Sequence, residues 1–377
     1  MKSFLHWLLQ TYLRIKSLSG KEHSKTRIYI FRHDELGDFV LWLGAAKVLR
    51  EYYSAEKYHI TLIVKPSNRQ LAELCPYWDE IWDFDQESYL SSRRYRLGMI
   101  LKLMQADIVI NPVLSHYLLI DNLIGYSNAR EIVGIDVKYD EICYHSKDKL
   151  AAGYLNYTRL VELDLNKHVI DINFDFAAAL TGINKQPCPD ELSFIPEQKI
   201  NFTDYFMVIP GAGSSARRWP PENFAAIIDA VLTQRQNFKA LICGTGKEFE
   251  LGEEVKSASE QKDRIINYCG KSNLEELCGL VKNAVFILCN ECGPLHVAAC
   301  FKVPALSITG GGHFGLFHPY PDKLGLNSMA VSVRKECFNC NWHCFRHPEE
   351  KTPYPCIEQI KVADVQLAVN ELLKTIK

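Results

Sequence analysis

Apolar residues along this chain fall into short runs separated by polar or glycine-rich turns. The runs alternate with stretches whose apolar positions recur at helical spacing. Arg27 to Phe31 (RIYIF) is β-branched and aromatic and predicts a strand. Arg32 to Asp38 (RHDELGD) is the turn after it. A helix then reaches to about Glu51, with Leu41, Ala45, Val48 and Leu49 on one face. Tyr58 to Val64, Ile81 to Phe84 and Ala106 to Ile110 predict further strands, the last ending at Asn111-Pro112. Strands alternating with helices imply a parallel sheet covered on both faces.

The pattern breaks between Thr181 and Pro196, where Gly182, Asn184, Pro187, Pro189 and Pro196 read as a linker. A second series follows. Tyr205 to Ile209 predicts a strand and Pro210 to Ser215 a glycine turn. From Pro220 a helix carries Phe224, Ile227, Ile228, Val231 and Leu232 on one face. Lys239 to Cys243 runs into Gly244-Thr245-Gly246. Arg264 to Asn267 predicts a strand and Leu274 to Val281 a helix. Val285 to Leu288, the turn Asn290-Glu291-Cys292-Gly293, a helix opened by Pro294, a run from Val303 to Ile308 and Gly310-Gly311-Gly312 form one βαβ unit. Val362 to Leu373 predicts a last helix, expected to pack back on the first half. The fold class is therefore α/β, with two Rossmann-like doubly wound domains facing a cleft. The expected organisation is an amphipathic helix over 1–25, a first domain over 26–180, a linker over 181–200, a second domain over 201–360 and a closing helix over 361–377.

At 377 residues, 47% hydrophobic and 23% charged, the chain has room for two ordinary globular domains. Its 43 basic and 45 acidic residues give a net charge of −2, so there is no global basic field and nucleic acid is not expected as a partner. The 13 cysteines do not form a secreted disulfide framework. Cys243, Cys278, Cys289 and Cys300 sit in apolar runs as small hydrophobes, and a reducing cytoplasm is expected. No apolar run approaches the ~20 residues needed to span a bilayer. The first residues lack a small-residue cleavage site, which argues against a signal peptide. Phe4, Leu5, Leu8, Leu9, Tyr12 and Leu13 recur at helical spacing beside Lys2, Arg14, Lys16 and Lys21. Such a helix either lies on an anionic membrane surface or packs on the protein's own body.

Five places carry candidate chemistry. Asp38 follows a strand and opens a helix, where a carboxylate suits either general-base work or helix capping. Pro210 to Pro221 (PGAGSSARRWPP) puts Arg217 and Arg218 between a glycine turn and a helix start, which suits phosphate. Its Gly211-Ala-Gly213-Ser-Ser-Ala216 also matches a loose dinucleotide fingerprint, although the ribose-holding acid expected about 20 residues on is missing. Glu248, after the Gly244-Thr-Gly turn, suits a ribose or simply a solvated turn. Gly293, Pro294 and His296 place free amide groups and an imidazole at a helix N-terminus, where a diphosphate is favoured. Cys337, Cys340 and Cys344 with Cys356 offer four thiolates for structural zinc or iron, with His343 and His347 as alternative ligands; a redox-labile patch and packed free thiols are the competing readings.

Taken in order, Leu36-Gly37-Asp38, Pro210-Gly-Ala-Gly with Arg218-Trp219-Pro220, Gly244-Thr-Gly-Lys-Glu248 and Asn290-Glu-Cys-Gly293-Pro294-Leu-His296 resemble the bacterial family-9 glycosyltransferases. These are the ADP-heptose:lipopolysaccharide heptosyltransferases and their relatives. Gly310-Gly-Gly-His313-Phe314-Gly315 and CFNCNWHC look like a subgroup of that family, and the resemblance runs from about Arg27 to Ile360. It implies the GT-B fold with the donor mainly on the second domain, and Asp38 as general base. Arg217 or Arg218 would neutralise the donor diphosphate. Glu248 would sit near the ribose and Gly293, Pro294 and His296 near the phosphates, with Gly37, Gly211 and Gly213 in the same donor-binding set. Catalysis would need no cofactor or divalent metal. The implied reaction is inverting transfer of a sugar, heptose from ADP-heptose by resemblance, to a hydroxyl of a lipopolysaccharide core or related lipid-linked glycan. It would run in the cytoplasm, with peripheral contact to the inner membrane. Two departures bear on the donor: the family commonly has Asp-Thr-Gly at Glu291-Cys292-Gly293, and often Lys at Arg217. A nicotinamide-dependent oxidoreductase built on the Gly211 turn and a non-catalytic glycan-binding member are the competing readings.

Overall fold

The computed structural model describes residues 24–137, 147–344 and 353–376. The expected N-terminal amphipathic helix and His347 lie outside these residues. Contacts divide the chain into two units. The first runs to Glu35 and continues through Trp42–Leu165 and Ile170–Pro187. The second holds Leu36–Leu41, Asn166–Val169 and Cys188–Lys377.

The first unit is a six-stranded sheet in the order β3-β2-β1-β4-β5-β6. Its strands are β1 (Thr26–Arg32), β2 (Tyr58–Val64), β3 (Glu80–Asp83), β4 (Ile108–Asn111), β5 (Glu131–Asp136) and β6 (Arg159–Glu162). All neighbours pair in parallel, with Ile28 opposite Ile60 on one side and Ile108 on the other. The connecting helices are α1 (Leu36–Tyr52), α2 (Arg69–Leu74), α3 (Gln86–Ser91), α4 (Arg93–Leu103), α5 (Leu118–Gly125), α6 (Lys147–Tyr154) and α7 (Val169–Thr181). Residues buried on one face of this sheet, among them Tyr29, Phe31 and Val109, pack with Leu103, Ile120, Leu123 and Ile124.

The second unit repeats the winding. Its order is β12-β11-β10-β7-β8-β9, from β7 (Tyr205–Ile209), β8 (Lys239–Ile242), β9 (Ile265–Asn267), β10 (Ile287–Asn290), β11 (Ala305–Ile308) and β12 (Ser328–Val331). Its helices are α8 (Pro221–Gln234), α9 (Phe249–Ala258), α10 (Leu274–Asn283), α11 (Gly293–Phe301), α12 (Pro355–Glu358) and α13 (Val362–Thr375). Every residue of β7 is buried. That follows from helices on both faces, and it is why the central strands read as continuous apolar runs rather than alternating ones.

The closing helix, expected on the first half, lends its apolar face to the second sheet: Val365, Val369, Leu372 and Leu373 of α13 join that core, with Phe224, Ile228, Leu306 and Ile308. Their spacing shows that the helix has one apolar face, but spacing cannot show which sheet receives it. The face left open beside β11 and β12 does. Among the described residues no helix is long and apolar enough to cross a membrane.

Candidate active site at the switch point of the second sheet

In the second sheet the winding reverses between β7 and β10, which pair directly. The loops leaving their carboxyl ends therefore diverge, and this is where open α/β sheets bind ligands. Asn290, at the end of β10 and 0% exposed, joins the two loops. Its Nδ2 donates to the Pro210 carbonyl at 2.7 Å, and its Oδ1 accepts from the Trp219 backbone N–H at 3.2 Å. Trp219 is fully buried, and its indole N–H donates to the Ile360 carbonyl at 3.0 Å. These bonds fix both ends of the loop that carries Arg217 and Arg218. Within it, Ser215–Arg217 is a single 3₁₀ turn.

The two arginines part company. Arg218 lies 3.9 Å from the Glu248 carboxylate. The Arg217 guanidinium sits 4.1 Å from the ring centre of Trp342. Gly213 is exposed, and a Cβ there would meet only the Arg217 Nη1, at 3.8 Å. Gly211 behaves differently, since a Cβ on it would overlap the Glu248 carboxylate, and one on Gly244 would come 2.9 Å from the same group. These two glycines make room for an acid rather than presenting bare backbone. Glu248 in turn accepts from the Thr245 N–H at 2.8 Å and its hydroxyl at 3.0 Å, completing a capping box.

Asp38 sits in the first turn of α1, as its third residue. Glu35 is the cap residue and makes no side-chain capping bond, so the capping alternative for Asp38 does not hold. The Leu36-Gly37-Asp38 turn seats against the start of α11. Leu36 would press on a Cβ at Gly293 at 3.0 Å, and a Cβ at Gly37 would come 2.7 Å from the His296 ring. Gly293 opens α11, Pro294 lies in its first turn, and Cys292 is the cap without a side-chain bond. A thiol is a weak acceptor, and the Cys292 side chain does not cap those amide hydrogens, which suits an anion there.

His296 is 4% exposed and bonds the Tyr320 hydroxyl through Nδ1 at 2.7 Å. Burial, and then the nearby His318 and His168, push its pKa well below the ordinary range. It is therefore a neutral hydrogen-bonding group rather than a cation. Glu291 is the residue that sequence reasoning undervalued. Its Oε2 is buried without a hydrogen-bond partner. Burial raises its pKa to about 7, with the Arg217 charge opposing the rise and the Asp38 charge adding to it. Asp38, Glu291 and Arg217 thus share one electrostatic neighbourhood. The signal was present in the sequence as an acid in the turn before Gly293.

The dinucleotide reading loses its remaining support. Its third small residue, Ala216, lies in the 3₁₀ turn and not at the start of α8. β8 runs out into Cys243, a buried thiol, where a ribose-binding acid belongs.

The cysteine loop packs on the glycine loop after β11. Cys337, Cys340, Cys344 and Cys356 all line one cavity of about 60 Å³. Among the described residues, however, no three His, Cys, Asp or Glu side chains are grouped to hold a metal ion. The donor set fits a thiophilic ion, but its present spacing does not. Gly310, Gly311 and Gly312 face the Trp342 and Phe338 rings of this loop. Trp342 and His313 are site neighbours that the sequence showed only as parts of motifs. The remaining cysteines of the apolar runs, Cys243, Cys278, Cys289 and Cys300, are buried as expected.

Residues 140–343 match the model of glycosyltransferase family 9 (heptosyltransferase). A lipooligosaccharide heptosyltransferase 2 of Haemophilus influenzae is 31% identical over 33% of this chain and 38% of its own length. One of Campylobacter jejuni is 31% identical over 44% of this chain and 50% of its own. The chain thus spans half or less of the length of these two curated relatives. The solved structure of E. coli ADP-heptose lps heptosyltransferase II superposes with a TM-score of 0.65 at 16% identity, covering 93% of this chain and 99% of that one. That likeness is one of fold, and it agrees with the paired doubly wound sheets of the GT-B architecture. The motifs that meet at the switch point lie largely within the matched span, and with more than half of its length accounted for by the family model, this chain belongs to glycosyltransferase family 9.

Proposed function

We propose that the protein is an inverting glycosyltransferase that moves a sugar from a nucleoside-diphosphate donor to a hydroxyl of a lipopolysaccharide core or related lipid-linked glycan. What supports this is the close approach of Leu36 and Gly37 to Gly293 and His296 at the start of α11, with the charges of both Asp38 and Arg217 felt at Glu291 just before that helix. The acceptor hydroxyl oxygen forms a bond to the anomeric carbon while the bond from that carbon to the diphosphate oxygen breaks. Asp38 takes the hydroxyl proton. The diphosphate leaves with the bonding electrons, and Arg217 and the amide groups of Gly293 to His296 offset its charge. Arg218 and Glu248, tied to each other, hold the nucleotide side of the site, with Gly211 and Gly213 shaping it. The second unit is the donor-binding domain and the first the acceptor-side domain. The E. coli relative of the same fold is an ADP-heptose enzyme, and ADP-heptose is the donor we assign here. The reaction takes place at the cytoplasmic face of the inner membrane, with peripheral contact to it.

The test is a thermal-shift panel of nucleoside diphosphates followed by a transfer assay. ADP raising the midpoint more than UDP or GDP supports the donor assignment. Asp38→Asn should lower turnover by about 10²–10⁴ while keeping ADP binding, the usual share of a positioned base. Unchanged turnover would remove Asp38 from the mechanism. A structural zinc or iron ion at Cys337, Cys340, Cys344 and Cys356 is a separate proposal, resting on their shared cavity. One equivalent of either metal in the purified chain supports it, and metal-free protein with unchanged stability refutes it.

A further inference from the structure

We infer that Trp342 is a positioning residue that holds the Arg217 guanidinium at the donor diphosphate, making the cysteine-rich loop a wall of the donor site. This rests on the reading that Arg217 faces the diphosphate. Arg217 sits on a 3₁₀ turn, and fixing a side chain of its length costs rotamer freedom. Stacking at 4.1 Å on Trp342 orders it before the ligand arrives.

Trp342 is held on every side. Its indole N–H donates to His313 Nδ1 at 3.2 Å. Tyr354 stacks on it with ring centres 5.7 Å apart and planes 23° from parallel. Its ring covers Gly310 and Gly312, and a Cβ at Gly310 would already come within 2.7 Å of it. The loop is pinned to the same glycines by Asn339 N–H to the Gly311 carbonyl at 2.6 Å and Asn341 N–H to the Gly312 carbonyl at 3.0 Å. The Tyr354 N–H also bonds the Ala216 carbonyl at 2.8 Å, tying this assembly to the turn that carries Arg217.

The backbone supports the same conclusion. Asn339, Asn341 and Trp342 have φ of 63°, 50° and 61°. For a bulky tryptophan the left-handed region is strained, and such strain persists where surrounding contacts over-determine it, most often at ligand sites. Arg218, by contrast, lies 3.9 Å from the Glu248 carboxylate, whereas Arg217 faces the Trp342 ring.

The experiment measures ADP and adenosine binding to the full chain and to Trp342→Ala, Trp342→Phe, Arg217→Ala and the Trp342→Ala/Arg217→Ala double variant. Trp342→Ala should weaken ADP binding about 3- to 10-fold, the range of a partly desolvated cation–π contact. Adenosine binding should not change, and Trp342→Phe should recover most of the loss. In the Arg217→Ala background, Trp342→Ala should add less than about twofold. In turnover, the donor KM should rise more than kcat falls. Should Trp342→Ala fail to fold, Trp342→Leu, which fills the space without a π face, carries the same comparison. Multiplying effects in the double variant, or equal losses for ADP and adenosine, would overturn the inference. A wild-type chain that binds no nucleoside diphosphate would instead remove the functional reading beneath it.

Discussion

Glu291→Gln gives a sharp test of the site's electrostatics. The Glu291 carboxyl titrates at about 7 instead of its ordinary 4.5, because it is buried and Asp38 lies near it. Below pH ~4.5 the group is protonated in both the folded and unfolded chain, so it costs folding nothing. As the pH rises toward 7, the unfolded chain loses this proton freely while the folded chain must keep it or bury a charge. Stability from this group is therefore full at low pH and is lost as pH rises through about 7. At ~1.4 kcal/mol per unit, the ceiling is about 3 kcal/mol. Glutamine mimics the protonated carboxyl and carries no such cost. The variant should match the wild type near pH 4.5 in urea unfolding and exceed it by as much as about 3 kcal/mol at pH 8, with an unchanged slope. Removing the opposing charge with Arg217→Ala should steepen the wild-type pH dependence, and Asp38→Asn should flatten it. A stability difference constant from pH 4.5 to 8, or one largest at low pH, would refute the shared neighbourhood on which the active-site assignment rests.

Other variants probe what holds the site in place. Asn290→Ala strands the Pro210 carbonyl and the Trp219 N–H in the interior. It should cost about 3 kcal/mol in urea unfolding, counting one buried unmet group at each end. Gly211→Ala forces the Glu248 carboxylate out of its place. It should cost about 1 kcal/mol through the lost capping bonds and weaken ADP binding, both readable in one thermal-shift titration. Leu372→Ala should cost about 2–5 kcal/mol, with second-unit peptides such as β11 losing amide-exchange protection first, since the side chain is fully buried in that unit's core.

The local elements were legible in the sequence because their causes are local. RIYIF and YFMVI are strands because β-branched and aromatic residues run without interruption. The turns follow from glycine, and the openings of α8 and α11 from proline in the first turn. Asp38 and the motif at Gly293 to His296 could be placed at helix starts on the same grounds. Tertiary structure decided the rest. Nothing near Glu291 in the chain shows that it meets Arg217 and Asp38, because its pKa depends on burial and on charges far away in sequence. The spacing of Val365, Val369 and Leu372 gives a helix with one apolar face but not the sheet that receives it. Gly310 to Gly312 read as the turn that closes a βαβ unit, and only the fold shows that they accommodate aromatic rings from a segment about thirty residues on. Periodicity and turn chemistry are properties of neighbouring residues. Charge pairing, burial and ring packing are properties of whichever residues the folded chain brings together.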